Sequence, residues 1–309
     1  MSQDSATVAV IILTFNEERH LARAIESIRG FAKEIFIIDS FSTDTTVEIG
    51  LKHGAKILQN PFEYQAKQFD WALGNAGIES DWVMRLDADE VVEPDLAAEI
   101  EANLCSLPSD VTGVNLKRKT IFQGRFIRHG GRYPLTLLRI WRRGKARIEN
   151  RMMDEHIYLT EGRTVTFQGG FADHNLLDLT SFTEKHNRYA TREALDVLNS
   201  RLNLYSKPVE LTGQVTARQA ILKRLLKERV YNRIPFEISS TAYFIYRYFF
   251  QLGFLDGREG LVYHFLQGFW YRFLVGAKLR ELELAAYQAK DNQELRRELA
   301  RLTGRQFNL

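Results

Sequence analysis

The sequence has almost no cysteine and no long uncharged apolar run. Cys105 is the single cysteine among 309 residues, which excludes a disulfide within the chain. The first residues lack the charged, apolar and small-residue pattern of a signal peptide, so we expect a cytoplasmic protein. Residues 231–275 hold 15 of the 36 aromatic residues. Charged residues interrupt this stretch before it reaches the roughly 20 residues of a membrane-spanning helix, and we therefore predict no such helix.

The excess of positive over negative charge is also small, because the net charge is only +3. It is unevenly spread: residues 117–151 hold 12 Lys or Arg against one acid, Glu149. Such a field attracts phosphate-bearing ligands, nucleic acid or anionic lipid. We favour a phosphorylated substrate over nucleic acid, since forked guanidinium groups match phosphate oxygens, and a merely solvated basic loop is the alternative. The arginines concerned are Arg125, Arg128, Arg132, Arg139, Arg142 and Arg143.

Short apolar runs alternate with amphipathic stretches over the first hundred residues. The run 8–13 is apolar on both faces, as a central parallel strand requires. Asn16 is the expected N-cap of the first helix, and Pro94 opens the fourth. Strands are also predicted at 34–39, 55–58 and 82–87, and helices at about 17–29, 43–53, 64–76 and 94–104. This order predicts an open α/β sheet.

The remainder of the chain is less regular and then helical. Further strands are expected at 111–119, 135–141 and 164–168. Helices are expected at 180–199 and from about 216 to the end, with a break at the glycine-rich turn 253–257. The length of the chain fits one large or two fused domains with an appendage.

An Asp-x-Asp pair ends the fourth predicted strand. Side chains alternate along an extended strand, so Asp87 and Asp89 should face one side and reach one hard cation with the phosphate oxygens that it bridges. Other polar residues follow earlier strand ends: Thr14, Phe15, Asn16, Glu17, Asp39 and Ser40. Ligands of open α/β sheets bind beyond the carboxyl ends of the strands. The pattern therefore indicates a metal and diphosphate site at this edge.

Three sequence strings, 11–18 (IILTFNEE), 37–40 (IIDS) and 86–90 (LDADE), resemble bacterial family 2 glycosyltransferases in their order and spacing. Within this family, the chain most resembles the branch of the lipopolysaccharide-core β-1,4-glucosyltransferases. Its segment 253–261 also resembles the tail of that branch. The resemblance implies an α/β GT-A fold, with a Rossmann-like, mixed but mainly parallel sheet flanked by helices and a C-terminal helical extension. It further implies a nucleotide-diphosphate sugar donor, a divalent metal, Mn²⁺ or Mg²⁺, and inversion at the anomeric carbon.

The resemblance also implies a division of the chain. Residues 1–110 would form the nucleotide-sugar half, 111–210 the acceptor half, and 211–309 the helical extension. In the first half, Thr14, Phe15, Asn16 and Glu17 belong to the nucleoside pocket, and Asp39 accepts a hydrogen bond from the base. Chemistry agrees, because a carboxylate can accept the imide hydrogen of uracil while an aromatic ring offers a stacking surface.

The diphosphate and metal contacts are implied in the same way. Lys67 resembles the basic residue near the diphosphate, although Gln68 stands where the family commonly has Asn. Arg85 and Asp87 join the donor contacts, with Asp87 near the ribose or the metal. Asp89 is the direct metal ligand. His174 completes the metal shell or binds diphosphate, with a purely structural histidine as the alternative.

The acceptor hydroxyl needs a base, and 153–156 is the compact titratable cluster after the metal pair. It resembles the acidic base motif of the family. We predict Glu155 as the base, with Asp154 as the alternative, because adjacent residues on an extended segment face opposite ways.

The aromatic tail suggests a membrane partner. Six basic residues precede it: Arg218, Lys223, Arg224, Lys227, Arg229 and Arg233. They fit an interfacial helix pair drawn to anionic headgroups at the cytoplasmic face of the inner membrane. The alternatives are a helical core or an oligomer interface.

The predicted function is transfer of a sugar, from UDP by preference, to a glycan or lipid-linked acceptor in lipopolysaccharide or other surface polysaccharide synthesis. Two rivals stay open at this point. The segment 87–91 also resembles the nucleophile motif of haloacid-dehalogenase-type phosphatases, and the basic and aromatic stretches alone would suit a non-catalytic membrane-peripheral protein.

Overall fold

A computed structural model describes residues 6–149, 156–202 and 234–304. Its described residues divide into two compact units, one ending at Leu176 and one beginning at Leu177. The first unit is built on a mixed, Rossmann-like sheet flanked by helices. The second unit is helical.

The strands of the first unit form one large sheet and one small ribbon. In chain order they are β1 (Val8–Thr14), β2 (Ala32–Asp39), β3 (Lys56–Gln59), β4 (Trp82–Asp87), β5 (Glu90–Val92), β6 (Val111–Phe122), β7 (Arg125–Phe126), β8 (Leu135–Arg142), β9 (Ala146–Ile148), β10 (Ile157–Leu159) and β11 (Arg163–Asp173). The sheet order is β3-β2-β1-β4-β8-β6-β11-β5, with β7 paired to β6, while β9 and β10 form the ribbon.

The N-terminal half of the sheet is parallel and the rest is mixed. Strands β1 to β4 run parallel. The strand β8 then pairs antiparallel with both β4 and β6, and β6 runs parallel to β11. The insertion of β8 beside β4 matters for the site, because it brings a later part of the chain against the end of β4.

The central strand is buried on both faces, as its sequence predicted. Val8, Val10 and Ile12 pack into the core on one face, and Ala9 and Ile11 pack into the core on the other. The helices of this unit are α1 (Leu21–Ile28), α2 (Thr46–Lys52), α3 (Gln65–Asn75) and α4 (Pro94–Asn103). The helices α1 and α4 cover the first face, and α3 covers the second.

Most predicted elements of the first unit are present, with differences at their ends. The fourth strand has the predicted bounds, and Pro94 opens α4. The prediction that Asn16 caps α1 is wrong, because α1 begins at Leu21 and His20 occupies the N-cap position. The short strands β5, β7, β9 and β10 were not predicted, since two or three residues carry no readable periodicity.

The second unit packs its helices around a small leucine-rich core. Its helices are α5 (Leu179–Leu202), α6 (Phe236–Ile245), α7 (Gly257–His264), α8 (Tyr271–Gln288) and α9 (Asn292–Thr303). Short π-helical segments follow α6 and α7 at Tyr246–Phe250 and Phe265–Trp270, and the predicted break is a 3₁₀ turn at Gly253–Asp256. In the described part of the chain, we find no helix with the length and apolarity needed to cross a bilayer.

Candidate functional site

The residues predicted to bind the nucleotide-sugar donor lie at the carboxyl ends of three adjacent strands. Thr14 of β1 is in register with Asp39 of β2, and Leu13 is in register with Asp87 of β4. Neighbouring strands lie about 4.8 Å apart, so the ends of β2 and β4 are separated by roughly 10 Å. The sheet therefore brings Thr14, Asp39 and Asp87 to one edge.

Asp39 is fully buried, and donors from this chain surround its carboxylate. It accepts hydrogen bonds from the Thr14 hydroxyl (3.0 Å), the Ser42 backbone N–H (2.9 Å) and the Gln59 side chain (3.2 Å). The Ser42 hydroxyl also donates to it. A buried carboxylate needs such donors, since an uncompensated charge would be costly. The position of Asp39 is thus fixed by β1, β3 and the loop after β2, and its role as acceptor for a base stays a prediction.

The loop after β1 is tied to the loop after β2. Asn16 has φ of 56°, in the left-handed region, and its side-chain oxygen accepts the Thr43 N–H at 2.8 Å. Its own N–H donates to the Ser42 hydroxyl at 2.9 Å. Glu17 donates its N–H to Thr46 at 2.7 Å. Asn16 therefore acts as a link between two loops rather than as a helix cap.

Phe15, in the same loop, is 58% exposed. Hydration of an exposed aromatic ring is unfavourable in free energy, and the face of such a ring is available for stacking. Its position at the end of β1 agrees with the predicted nucleoside pocket. The stacking role itself stays a prediction.

The two aspartates predicted to bind metal do not lie on one strand. Asp87 ends β4, whereas Ala88 and Asp89 form a turn that leads into β5. Strand alternation was therefore the wrong reason to expect Asp87 and Asp89 on one side. Both carboxylates are nevertheless partly exposed while Ala88 between them is buried, so the tight turn keeps the two aspartates accessible.

Asp87 is held by two arginines. The Arg85 Nε atom lies 3.2 Å from one carboxylate oxygen, and an Arg139 Nη atom lies 3.5 Å from the other. Burial alone would raise the pKa of Asp87, but the Arg85 and Arg139 guanidinium groups outweigh it and hold that pKa well below its usual range. Asp87 is thus an anion at any physiological pH.

Glu90 and Arg139 form a buried pair behind Asp87. Glu90 is 1% exposed and accepts from Arg139 at 2.7 Å and from the Asp87 N–H at 2.9 Å. Burial and the neighbouring Asp87 raise the pKa of Glu90 above its usual range, against the opposing effect of Arg139 and Arg118. No role for the Glu90–Arg139 pair was predicted from the sequence. Glu90 was visible only as the residue after the Asp-x-Asp pair.

Asp89 contacts the segment that follows β11. The Asn175 side chain donates to its carboxylate at 3.0 Å, and the His174 N–H donates to its backbone oxygen at 3.0 Å. Arg23 donates to the backbone oxygens of Asp89 and His174. The structure therefore brings the backbone of His174 beside Asp89, while the metal-shell role of its side chain stays a prediction. Asn175 is the neighbour of Asp89 that sequence reasoning missed.

His174 has an environment that favours its neutral form. Burial lowers the pKa of His174, and the nearby Arg23 and His20 lower it further. A neutral imidazole retains a lone pair for a ligand. In the described ranges of the chain, no group of three or more His, Cys, Asp or Glu side chains is arranged to hold a metal by itself.

The prediction for Lys67 has less support from its surroundings. Its ammonium group forms an exposed ion pair with Glu63, one helical turn earlier. The next residue, Gln68, is buried and bonds to Ser40 (3.2 Å) and Asn60 (2.7 Å). The residue that departs from the family pattern is therefore the one that holds the loops after β2 and β3 together. The diphosphate contact of Lys67 stays a prediction.

The predicted bases Asp154 and Glu155 lie outside the described residues. The flanking residues are defined: β9 and β10 pair antiparallel, and the Glu149 N–H donates to the His156 carbonyl at 2.8 Å. The assignment of Glu155 or Asp154 stays a prediction.

Three arginines of the basic stretch make contacts within the chain. Arg139 belongs to the buried pair. Arg142 lies 4.5 Å from the Trp82 ring and donates to the Val111 carbonyl, and Arg143 donates to the Ile78 carbonyl. Arg139 is buried and Arg142 half-buried, whereas Arg143 is exposed, and a phosphate-binding role for the basic stretch stays a prediction.

A Rossmann-like sheet with carboxylates at adjacent strand ends defines a class of nucleotide-binding folds. Within that class, the chain belongs to glycosyl transferase family 2, whose sequence model matches residues 9–168. The fold, a mixed sheet with flanking helices and a C-terminal helical region, is the GT-A type predicted from the sequence. The assignment to the lipopolysaccharide-core branch stays a prediction.

Curated relatives match a limited part of the chain. An uncharacterized glycosyltransferase of Rickettsia typhi is 37% identical over 94 residues, which are 30% of this chain and 32% of that protein. One of Rickettsia conorii is 38% identical over 94 residues, which are 30% of this chain and 33% of that protein. The chain thus spans about a third of the length of these relatives.

Among solved structures, the chain matches part of glucosyl-3-phosphoglycerate synthase from Mycobacterium tuberculosis in complex with Mn²⁺, UDP and glucosyl-3-phosphoglycerate. It is 21% identical to this chain, covers 37% of this chain and 44% of its own, and has a TM-score of 0.30. The same synthase is known in complex with Mg²⁺ and UDP, with 21% identity, coverage of 38% and 44%, and a TM-score of 0.29.

Proposed function

We propose that this chain is an inverting glycosyltransferase that moves a sugar from a nucleotide-diphosphate donor to a glycan or lipid-linked acceptor. The observation that carries the proposal is the alignment of Asp39, Asp87 and the Asp89 turn along one edge of the sheet. Family membership supports the reaction class and leaves the phosphatase and the non-catalytic alternatives without support.

The spacing along the edge suits a nucleoside diphosphate. Asp39 and the exposed Phe15 lie at the β2 and β1 ends. The Phe15 ring offers a stacking face for a base, and an N–H of the base would replace one of the four internal donors of Asp39. The Asp87 end lies roughly 10 Å away across two strand spacings, which is the scale of a ribose and its first phosphates. Uracil fits this end because its imide hydrogen matches a carboxylate acceptor.

The donor atoms at the β4 end fit a hard divalent cation. Asp89 and the ionised Asp87 supply oxygen ligands, and Mg²⁺ or Mn²⁺ sites are commonly completed by substrate phosphates and water rather than by protein alone. When bound, such a cation would neutralise charge on the departing diphosphate. The chain's own part is to hold the two carboxylates in place, Asp87 through Arg85 and Arg139, and Asp89 through Asn175.

The transfer is a single displacement at the anomeric carbon. The acceptor oxygen forms a bond to that carbon as the bond to the diphosphate oxygen breaks, and the hydroxyl proton passes to a carboxylate. We assign this carboxylate to Glu155, with Asp154 as the alternative. The acceptor as part of lipopolysaccharide or another surface polysaccharide, at the cytoplasmic face of the inner membrane, is also part of the proposal and rests on the family resemblance.

A thermal-shift screen of nucleotide sugars with and without Mn²⁺ tests the proposal, because a ligand that binds the native state raises the apparent stability. We expect a metal-dependent shift with a UDP-sugar, its loss in Asp89→Ala, and its retention in Asp70→Ala, an exposed aspartate on α3. Full sugar transfer and donor affinity in Asp89→Ala would show the metal assignment to be wrong.

Replacement of the base separates chemistry from binding. Glu155→Gln should abolish transfer while donor binding stays measurable by the same thermal shift. Normal turnover in this variant would move the role to Asp154 or elsewhere.

A further inference from the structure

The helical unit exposes apolar side chains around the turn between α6 and α7. Six of them define what we call the aromatic surface, with their exposed fractions: Ile245 (41%), Tyr246 (52%), Phe249 (55%), Phe250 (74%), Phe254 (44%) and Leu255 (49%). They fall within eleven consecutive positions. Large contiguous apolar patches of this kind mark an interaction site.

Between Glu237 and Arg258, which are both exposed, the charged groups of this region point inward. Arg247 is the single charged residue of 238–255, and it is 4% exposed, with its guanidinium 5.4 Å from the centre of the Tyr243 ring. Asp256 is 3% exposed and lies 3.8 Å from the Nε2 atom of His264, which is fully buried. Charges are thus inside and aromatic rings outside, which reverses the usual distribution in water.

This reversed arrangement matches a hydrocarbon surrounding. In contact with acyl chains, a protein gains by exposing apolar side chains and by satisfying its polar groups internally. A partner protein in water would more commonly find a polar rim around the apolar patch. The segment 238–255 offers no exposed charged side chain for such a rim, and exposed charges begin only at its borders, Glu237 and Arg258.

The positive charge of the sequence before the aromatic surface favours a membrane with anionic lipids. Residues 217–233 contain six basic residues and one acid, Glu228. A single apolar anchor binds weakly, whereas an apolar surface together with a polybasic stretch gives stable binding to anionic lipid. A second copy of the chain would instead add a second positive stretch to the first, and like charges oppose association.

We propose that the aromatic surface inserts into the headgroup and upper acyl region of one leaflet of an anionic bilayer. Phe249 and Phe250 enter most deeply, because they are adjacent and among the most exposed rings of the surface. The inward-facing Arg247, Asp256 and His264 hold the turn together as its outside contacts lipid. This inference does not depend on the donor site or on the identity of the donor.

Vesicle co-sedimentation of the full chain tests the proposal. The probes are vesicles of phosphatidylglycerol with phosphatidylethanolamine, and vesicles of phosphatidylcholine alone. Phe249→Ser/Phe250→Ser should weaken binding to the anionic vesicles by about tenfold or more, since two large apolar side chains lose their burial. The matched control is Leu284→Ser/Tyr287→Ser, which changes two apolar residues of α8 that are 53% and 89% exposed. Circular dichroism checks that each variant folds.

Three results would overturn the proposal. The first is wild-type protein that does not bind anionic vesicles, and the second is equal loss of binding in the control variant. The third is a concentration-dependent dimer that Phe249→Ser/Phe250→Ser abolishes, which would assign the surface to a second copy. Because none of these measurements uses a nucleotide sugar, their outcome is separate from that of the proposed function.

Depth can be measured directly because the chain has one cysteine. In a Cys105→Ser background, Phe250→Cys and Tyr287→Cys each provide one site for an environment-sensitive nitrobenzoxadiazole label. On adding anionic vesicles, the label at position 250 should shift its emission to the blue and be quenched by lipid-attached quenchers. The label at position 287 should stay in water. An unchanged spectrum at position 250 contradicts insertion even if the protein co-sediments.

Discussion

At the residue scale, two carboxyl groups three positions apart have opposite environments. Asp87 faces two guanidinium groups and keeps its charge, with a pKa well below its usual range. Glu90 lies deeper, and burial raises its pKa. Arg139 contacts both, at 3.5 Å and 2.7 Å. The buried arginine therefore links the accessible carboxylate of the site to an acid in the core.

A double-mutant cycle should detect this link. Removing one member of a buried hydrogen-bonded pair typically costs about 1–3 kcal/mol, because the other is left without its partner. We expect Glu90→Gln and Arg139→Met to be less than additive when combined, with a coupling of about 1–3 kcal/mol in the free energy of unfolding. Urea denaturation of the wild type, both single variants and the double variant measures it. Additive effects would mean that the pair contributes nothing jointly.

Glu34 gives a pH-dependent prediction. Its carboxylate accepts from the Ser80 N–H (2.9 Å), the Ser80 hydroxyl (2.7 Å) and Lys56 (2.9 Å). Burial alone would raise the pKa of Glu34, but the hydrogen bonds from Ser80 and Lys56 lower it to about 2. A carboxylate with a lowered native pKa stabilises the fold above its unfolded pKa, and this contribution is lost as the pH falls through the native pKa.

Glu34→Gln should therefore destabilise the protein near neutral pH by about 1–2 kcal/mol. Its difference from the wild type should begin to shrink below the ordinary pKa of 4.5 and continue to shrink towards pH 2. Urea titrations at pH 7 and pH 3 provide the comparison. Glu26→Gln, which changes an exposed glutamate of α1, is the control and should show no such trend. A constant difference at both pH values would contradict the assignment.

At the element scale, the approach of β11 to α4 depends on a glycine. A methyl group on Gly169 would lie 2.5 Å from the Cα and 2.6 Å from the backbone nitrogen of Leu96. Backbone cannot move aside as a flexible side chain can, so β11 and α4 would have to separate. Leu96 is fully buried in the core on this face of the sheet, and separation would loosen that core.

Gly169→Ala should accordingly destabilise the protein by about 1–3 kcal/mol. Gly74 in α3 is the matched control, because a methyl group there would meet no atom within 4 Å. Gly74→Ala should be neutral or stabilising by about 0.5 kcal/mol, since alanine is the better helix former. Thermal and urea denaturation of both variants measure the contrast. Equal effects of the two substitutions would show that the β11–α4 contact is not tight.

At the scale of the whole molecule, the two compact units have separate hydrophobic cores. The sheet unit packs around residues such as Ile12 and Met84, and the helical unit packs around Leu198, Leu282 and Leu299. The proposed donor site lies entirely in the sheet unit. A ligand stabilises the folded unit that it binds. The stability of each core with and without the ligand can therefore be measured separately.

Hydrogen exchange with UDP and Mn²⁺ should show this separation. At a ligand concentration of 100 times the dissociation constant, the stabilisation is about 2.7 kcal/mol. We expect slower exchange in β1, β2 and β4 and no change in α8 and α9. Equal protection of both cores would mean that the units unfold together. Absence of any protection would contradict donor binding.

Much of the sheet unit could be predicted because its signals are local. The doubly apolar run 8–13 and the bounds of β4 follow from periodicity within a few residues, and Asp39, Asp87 and Asp89 follow from the rule that ligands bind at strand ends. The short strands β5, β9 and β10 could not be predicted, since tertiary pairing rather than local preference forms them.

The sequence by itself determined which residue types stand at the ends of the parallel strands, and with them the family to which the chain belongs. Only the tertiary structure decided their partners. Arg139 reaches Glu90 across 49 positions, and Asn175 reaches Asp89 across 86. The tertiary structure also turned Arg247 inward and the aromatic surface outward. The physical reason is that a charged side chain has no local preference for its partner, so strand pairing and burial make the choice.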